Sequence, residues 1–214
     1  MKLHILLTMK RIEFIYFDLG NVLVSFDHSR AWQQIAGLTG IAPARAEQIL
    51  FNSGLQTRYE MGEISTEEFH RYFCKQAQVN ISLEDLCFAA SDIFEPLDDS
   101  VQLLQTLSQA GHRLGLLSNT CDCHWQFFQD DVRFNFLHTS FELTVLSFVA
   151  GCMKPDTDIY RFAARQANCD PESILFIDDL EENVKAAQSN GFDGIHFQGY
   201  PSLLDELTKR ELVQ

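Results

Sequence analysis

Short apolar runs separated by amphipathic segments dominate the pattern of hydrophobic and polar positions. Residues 12–17, 114–117 and 174–177 form nearly unbroken apolar runs, and residues 194–197 form a weaker one. Runs of this length without polar alternation are typical of strands buried on both faces of a sheet. Amphipathic helical patterns separate the runs, so each strand is predicted to join the next by a helical crossover. The sequence therefore predicts an α/β fold with a parallel sheet.

A long segment without a convincing strand interrupts this alternation after the first run. A segment of about 70 residues is too long for a loop. We therefore predict that residues 27–96 form an inserted helical subdomain at the edge of the sheet, and that residues 1–26 and 97–214 form the core. The helical patterns inside the segment cover residues 31–38, 43–51, 66–76 and 83–94.

The predicted strands end in residues that can bind ligands. Parallel strands place their carboxyl ends along a common edge, and ligands of open α/β sheets bind there. If the three strong strands are neighbours, their ends and a nearby lysine share one crevice. That crevice would contain Asp18, Ser118, Asn119, Lys154, Asp178 and Asp179.

The carboxylates of this crevice predict a divalent cation. Three neighbouring carboxylates repel one another unless a cation lies between them. Oxygen ligands suit Mg²⁺, which also accepts phosphate as a ligand, whereas zinc prefers nitrogen and sulfur. An ionised Asp18 beside a metal-held phosphate can attack phosphorus and form an aspartyl-phosphate. Ser118, Asn119 and Lys154 could donate hydrogen bonds to the phosphate oxygens.

Composition and charge exclude several classes of partner. The formal net charge of −14 disfavours nucleic acids and anionic membranes, and no local basic patch counters it. The six cysteines include no CxxC pair, which favours a reducing compartment over a disulfide framework. The apolar residues 3–7 are too few for a signal peptide, and no run reaches transmembrane length. We therefore expect a cytoplasmic protein that acts on a small molecule.

Two other polar patterns have ordinary structural explanations. Cys121, Cys123 and His124 suggest a metal site, but the sequence shows no fourth ligand and lacks the usual zinc spacing. Glu182 and Asn183 are predicted to lie on a solvated helix face, although Asn183 could also brace the acidic loop. Neither pattern is assigned a function on the sequence alone.

Four sequence motifs resemble those of the haloacid dehalogenase-like superfamily. They are FDLGNVLV at 17–24, LLSNT at 116–120, GCMKPDTDIY at 151–160 and LFIDDLEENV at 175–184. Their order matches the superfamily pattern, and together they bracket nearly the whole chain. The resemblance implies a Rossmann-like, three-layer core with a helical cap inserted after the first motif. It also implies a Mg²⁺-dependent phosphatase that acts through an aspartyl-phosphate.

The resemblance also implies roles for individual residues. Asp18 would be the nucleophile, Ser118 and Lys154 would bind the phosphate, and Asp179, with Asp178 beside it, would hold Mg²⁺. The stretch 59–65 and the Gly20-Asn21 pair are similar to the bacterial sugar-1-phosphatase branch, such as the α-D-glucose-1-phosphatases. The substrate implied by that likeness is a small phosphate ester, for example a sugar 1-phosphate.

Gly20 departs from the pattern of most phosphatases in this superfamily, which carry a second aspartate two residues after the nucleophile. That aspartate acts as a general acid and base, a contribution of roughly 10²- to 10⁴-fold. The Gly20 carbonyl can still bind the metal, and leaving groups of low pKa would be favoured. Two alternatives stay open: a metal-independent 2-haloacid dehalogenase-type hydrolase, and a catalytically weak protein that binds phosphate esters.

Overall fold

A five-stranded parallel sheet organises the protein, in the strand order β5-β4-β1-β6-β7. The computed structural model describes residues 11–51 and 53–213. The predicted α/β class and Rossmann-like fold are confirmed. The strands of this sheet are β1 (Phe14–Phe17), β4 (Leu114–Ser118), β5 (Leu143–Leu146), β6 (Ile174–Asp178) and β7 (Asp193–His196).

Helices cover both faces of the sheet and complete three layers. Apolar residues of α6, α7, α8 and α12 share one buried cluster with the sheet, and those of α10 and α11 share another on the opposite face. The helices of the core are α6 (Asp98–Gln109), α7 (Asp122–Asp130), α8 (Phe136–Ser140), α9 (Ser147–Ala150), α10 (Thr157–Ala167), α11 (Glu181–Ser189) and α12 (Tyr200–Lys209). Two short 3₁₀ helices lie at Val132–Phe134 and Pro171–Ser173.

The central strand β1 is buried on both faces of the sheet, which accounts for its apolar sequence. All four of its residues are buried, because helices cover both of its faces. On one face Gly115 of β4 leaves room for the rings of Phe14 and Tyr16, since a Cβ there would lie 2.6 Å from each ring. The lack of polar alternation in residues 12–17 therefore has its origin in burial on both sides.

Five helices occupy the chain between two short strands, and we call residues 28–91 the helical insert. Its core is a separate apolar cluster centred on residues such as Ile35, Tyr59 and Phe73. Strands β2 (Val24–Phe26) and β3 (Phe94–Pro96) pair antiparallel at its base. Its helices are α1 (His28–Thr39), α2 (Pro43–Leu50), α3 (Leu55–Glu60), α4 (Thr66–Ala77) and α5 (Leu83–Ser91).

The insert differs from the sequence prediction in three places, the first of which is α3, a helix in none of the predicted helical segments. The helix predicted over 83–94 ends at Ser91, and Phe94–Pro96 pair with Val24–Phe26 as a strand inside a segment predicted to hold none. A strand of three residues is too short for periodicity to reveal. The assignment of 27–96 as a cap subdomain stays a prediction.

Local capping sets the start of α4, the helix predicted over residues 66–76. The Ser65 hydroxyl accepts a hydrogen bond from the Glu68 amide, and the Glu68 carboxylate accepts one from the Ser65 amide. This reciprocal pair satisfies two amides that the helix itself leaves unbonded. The helix start predicted near residue 66 is thus confirmed.

Among the described residues, no helix is long and apolar enough to cross a membrane. The apolar residues 3–7, considered above as a signal segment, lie outside the described residues. The six cysteines are free thiols.

Candidate active site

Three carboxylates meet at the carboxyl edge of the sheet. Asp18 directly follows β1, Asp178 is the last residue of β6, and Asp179 follows it. One oxygen of each carboxylate lies within 4.8 Å of an oxygen of the others. They meet because β6 and β4 are the two neighbours of β1, the arrangement on which the predicted crevice depends.

Lys154 is buried between two of these carboxylates. Its Nζ lies 2.8 Å from Oδ1 of Asp18 and 2.7 Å from Oδ2 of Asp178. Burial opposes the charged form of the amine, but Asp18 and Asp178 outweigh that effect and raise the pKa of Lys154. The site therefore holds a permanent ammonium group against the carboxylate that follows β1.

The same surroundings shift the pKa of Asp18. Burial raises its pKa from 3.8 to about 7, the Lys154 ammonium works in the opposite direction, and Asp178 adds to the rise. Even with Lys154 beside it, a carboxylate with this pKa takes up a proton near neutrality unless a further cation is bound. The ionised, nucleophilic form of Asp18 thus depends on a neighbouring positive charge.

Both carboxylate oxygens of Asp178 accept hydrogen bonds. Its Oδ1 accepts hydrogen bonds from the Leu180 amide at 2.8 Å and from Asn183 Nδ2 at 3.0 Å. Its Oδ2 accepts from Lys154 Nζ at 2.7 Å and from Asn183 Nδ2 at 3.1 Å. This bonding positions Lys154, and it leaves Asp178 less suited to metal ligation than Asp18 or Asp179.

Asn183 contradicts the predicted solvated face and agrees with the alternative that it braces the acidic loop. It is buried rather than solvated, and its backbone carbonyl accepts a hydrogen bond from the Tyr160 hydroxyl at 2.9 Å. The first turn of α11 directs its side chain back toward the end of β6. Its neighbour Glu182 is exposed as predicted, so the helix pattern alone did not separate the two.

Asp179 is held from two sides. Asn21 Nδ2 donates to its Oδ2 at 3.0 Å, and a ring nitrogen of His196 lies 3.0 Å from its carbonyl oxygen. Asn21 has a left-handed backbone with φ of 54° and directly follows Gly20. The turn after β1 therefore braces the acid that follows β6.

Ser118 and Asn119 end the neighbouring strand β4. The register pairs Phe17 with Leu116, so Ser118 leaves the sheet beside Asp18 and is itself buried. The Asn119 side chain donates to the Lys154 carbonyl at 2.9 Å and accepts from the Lys154 amide at 2.8 Å. These two bonds hold the lysine loop in place, a contact that the sequence did not reveal; substrate binding by Asn119 stays a prediction.

The donor set fits a hard divalent cation. Three carboxylates and one ammonium leave a net charge of −2 when all are ionised, and the potential metal ligands are oxygens. Mg²⁺ prefers such ligands and neutralises this charge. Ligation of Mg²⁺ by Asp18, Asp178, Asp179 and the carbonyl of Gly20 stays a prediction.

The space beside Gly20 is taken by an aromatic ring. A Cβ on Gly20 would lie 3.0 Å from Cε1 of Phe26, and the Gly20 backbone is not left-handed. The ring of Phe26 in turn lies 4.9 Å from that of His28. The apolar ring of Phe26 therefore borders position 20, where most phosphatases of the superfamily carry the second aspartate.

Comparison with known proteins identifies relatives of this arrangement. The family model described as haloacid dehalogenase-like hydrolase matches residues 12–191. The chain is 25% identical over 205 residues to D-ribitol-5-phosphate phosphatase of Bacteroides thetaiotaomicron, covering 92% of this chain and 97% of that protein. It is 29% identical over 150 residues to flavin mononucleotide hydrolase 1 of Arabidopsis thaliana, covering 70% of this chain but only 59% of the plant protein.

Solved structures give the same picture. An enzyme of this family from B. thetaiotaomicron matches with a TM-score of 0.76 and 26% identity over 87% of this chain and 93% of that one. It has also been crystallised with magnesium and inorganic phosphate. A protein from Porphyromonas gingivalis matches with a TM-score of 0.77 and 25% identity, covering 92% and 98% of the two chains. L-2-haloacid dehalogenase from Xanthobacter autotrophicus, at 19% identity and a TM-score of 0.61 over 95% and 85%, shares the fold.

Proposed function

The chain belongs to the haloacid dehalogenase-like hydrolases, and on that premise we propose that it is a Mg²⁺-dependent phosphatase of a small phosphomonoester with Asp18 as nucleophile. The observation that carries the proposal is the buried contact of 2.8 Å between Asp18 Oδ1 and Lys154 Nζ. A phosphate dianion bound beside Asp18 needs positive charge in a site that excludes water, and Lys154 is fixed there by Asp178 and Asn119.

The chain's own groups support two successive displacements. In the first, a carboxylate oxygen of Asp18 forms a bond to phosphorus while the bond from phosphorus to the ester oxygen breaks. The departing alkoxide takes a proton from water and leaves as the alcohol. In the second, water attacks the aspartyl-phosphate, loses a proton to solvent, and releases phosphate and free Asp18.

Lys154 and Ser118 serve the phosphoryl group during both displacements. The Lys154 ammonium neutralises negative charge on the phosphate oxygens, and the Ser118 hydroxyl donates a hydrogen bond to one of them. When bound by Asp18, the Gly20 carbonyl and Asp179, Mg²⁺ supplies further positive charge to the phosphate. The helical insert would limit access of bulk water, as the predicted cap.

The substrate we propose is a sugar phosphate, with a sugar 1-phosphate favoured. No carboxylate stands at Gly20 to protonate the leaving oxygen, so esters with a leaving group of low pKa should react best. The hydroxyl of a sugar's anomeric carbon is such a group. The bacterial relative acts, by its name, on D-ribitol 5-phosphate, whose leaving group is an ordinary primary alcohol, so both ester types belong in one substrate panel.

Phosphate release from this panel, with Mg²⁺ or with EDTA, tests the proposal. We expect turnover that EDTA abolishes and that Asp18→Asn lowers by about 10⁴-fold or more, as is typical when a covalent nucleophile is lost. Asp205→Asn, which removes an exposed carboxylate on α12, is the matched control and should retain full activity. Full activity of Asp18→Asn would rule out the mechanism.

Two further measurements, halide release and ligand binding, separate the alternatives. The fold shared with a haloacid dehalogenase supports carbon–halogen hydrolysis at Asp18, and halide release that is insensitive to EDTA would establish it. The cluster of Asp18, Asp178 and Asp179 favours the metal-dependent reaction instead. Tight binding of phosphate esters without turnover at any pH or metal concentration would identify a binding protein.

A further inference from the structure

A second cluster of metal-binding side chains lies where the helical insert meets the core. Cys121, Cys123 and His124 each place a ligand atom within 4.8 Å of the other two. The two sulfur atoms are 3.6 Å apart, and both cysteines are buried. The three residues belong to the N-terminal end of α7, so their spacing is fixed by one turn of helix.

The insert supplies a fourth side chain that the sequence spacing hides. Cys87 of α5 packs against the apolar cluster that contains Cys121 and Cys123, and it lines a groove together with Cys123. Cys87 is half-buried, and its sulfur lies outside the group of atoms within 4.8 Å of one another, so ligation requires its side chain to turn toward Cys123. Three cysteines and one histidine are a ligand set of structural zinc sites. The folded chain therefore offers a candidate fourth ligand that the sequence spacing did not reveal.

We propose that Cys87, Cys121, Cys123 and His124 form a Zn²⁺ site that joins α5 of the insert to α7 of the core. Sulfur and imidazole ligands in a buried position select zinc over Mg²⁺, which prefers oxygen and retains its water. Ligating cysteines bind zinc as thiolates, so three thiolates and one neutral imidazole give the occupied site a net charge of −1.

Groups around the cluster are suited to support such an ion. Gln56 Nε2 lies 3.9 Å from the Cys121 sulfur and donates to Glu60 at 2.9 Å. The Cys123 amide donates to the Tyr59 hydroxyl at 3.0 Å. Outer contacts of this kind orient ligands and tune metal affinity. They also come from the insert, so both sides of the junction contribute.

A groove gives a metal ion access to the cluster. It has a volume of about 1130 Å³, and Cys87 and Cys123 lie on its wall. Carboxylates line it as well, including Glu84, Asp122 and Asp130, and they favour the approach of cations. Asp18 and Asp179 do not line this groove.

Cobalt titration of the full-length, reduced protein tests the site without relying on activity. With excess Mg²⁺ present to fill the carboxylate site, we expect a single equivalent of Co²⁺ to give a sulfur-to-cobalt charge-transfer band. Zn²⁺ should abolish that band by displacement. Cys123→Ser and Cys87→Ser should each weaken binding by at least about tenfold, since even outer contacts contribute about 10- to 100-fold.

Cys169→Ser is the matched control, because Cys169 lies beside Arg113, away from the cluster. It should leave the cobalt band and affinity unchanged. The proposal is wrong if the wild-type protein shows no such band, or if both cluster variants bind cobalt as the wild type does. If Cys123→Ser fails to fold, the wild-type spectrum and the half-buried Cys87 position still decide the matter.

Discussion

At the residue scale, the chemistry of the site divides between Asp18 and Gly20. Asp18 has a buried cationic neighbour in Lys154, and in the proposed mechanism it attacks phosphorus. Gly20 offers a backbone carbonyl but no proton for the leaving oxygen. The ring of Phe26 occupies the space into which an acid at this position would extend. In the proposed mechanism the site therefore assists the attack on phosphorus but does not protonate the leaving group.

Gly20→Asp tests this imbalance. The Gly20 backbone accepts a side chain, although the Phe26 ring must move by a few tenths of an ångström to admit a Cβ now 3.0 Å away. We expect kcat to rise by about 10²-fold or more on esters of ordinary alcohols, because a general acid contributes about 10²- to 10⁴-fold. Aryl phosphates with good leaving groups should gain little. Steady-state rates across a series of leaving groups measure both effects.

Combining Gly20→Asp with Phe26→Leu provides the steric control. The smaller Leu side chain gives the new carboxylate room, so the double variant should match or exceed the single one. An equal rise in rate for good and poor leaving groups would contradict general acid help as the missing factor.

At the element scale, the turn between α3 and α4 ties the insert to the core. Gly62 has a left-handed backbone with φ of 68°, and a Cβ there would overlap the carbonyl oxygen of Phe148 in α9. Both features demand glycine, the first through backbone strain and the second through close approach. The packing of the insert thus depends on one residue without a side chain.

Gly62→Ala should destabilise the protein by at least about 1–3 kcal/mol, the usual cost of a left-handed non-glycine residue, with the overlap at Phe148 adding to it. Denaturant unfolding followed by circular dichroism measures the change. Gly37→Ala is the matched control, because Gly37 lies inside α1 with nothing within 4 Å of an added Cβ. That variant should gain about 0.5–1 kcal/mol from helix propensity. Equal stability of the two variants would show that the Gly62 turn does not constrain the insert.

At the scale of the whole molecule, the buried charges link metal binding to pH and to folding. The pKa of Asp18 is raised from 3.8 to about 7, chiefly by burial. Because the folded-state value is the higher one, protonation of Asp18 favours folding at low pH. That contribution is lost as pH rises from about 4 to 7 in the metal-free protein.

Mg²⁺ should therefore bind more weakly in acid. Protons compete for Asp18 below its pKa, so the dissociation constant is expected to rise by up to about tenfold per pH unit below 7 and to level off above it. Calorimetric titration between pH 6 and 8 measures this, and Asp18→Asn should bind more weakly and with little dependence on pH. At 100 times the dissociation constant, Mg²⁺ should stabilise the fold by about 2.7 kcal/mol. An affinity that does not change over this range would contradict the shift assigned to Asp18.

The sequence by itself determined the class of fold and the residues at the strand ends. Apolar runs such as 12–17 must be buried on both faces, which requires a parallel sheet covered by helices. Because parallel strands end at one edge of the sheet, Asp18, Ser118 and Asp178 are expected there, and this inference needs no side-chain contacts. These inferences depend on local patterns, so they could be made from the chain alone.

Only the tertiary structure decided which neighbours those residues have. The burial of Asn183, the ring of Phe26 beside Gly20 and the packing of Cys87 near Cys123 are contacts that only the folded chain shows. Periodicity reports which face of a helix is apolar but not what lies opposite it. The partners of Asp178 and of the cysteine cluster depend on how the insert and the loops pack, and that packing is a property of the whole folded chain.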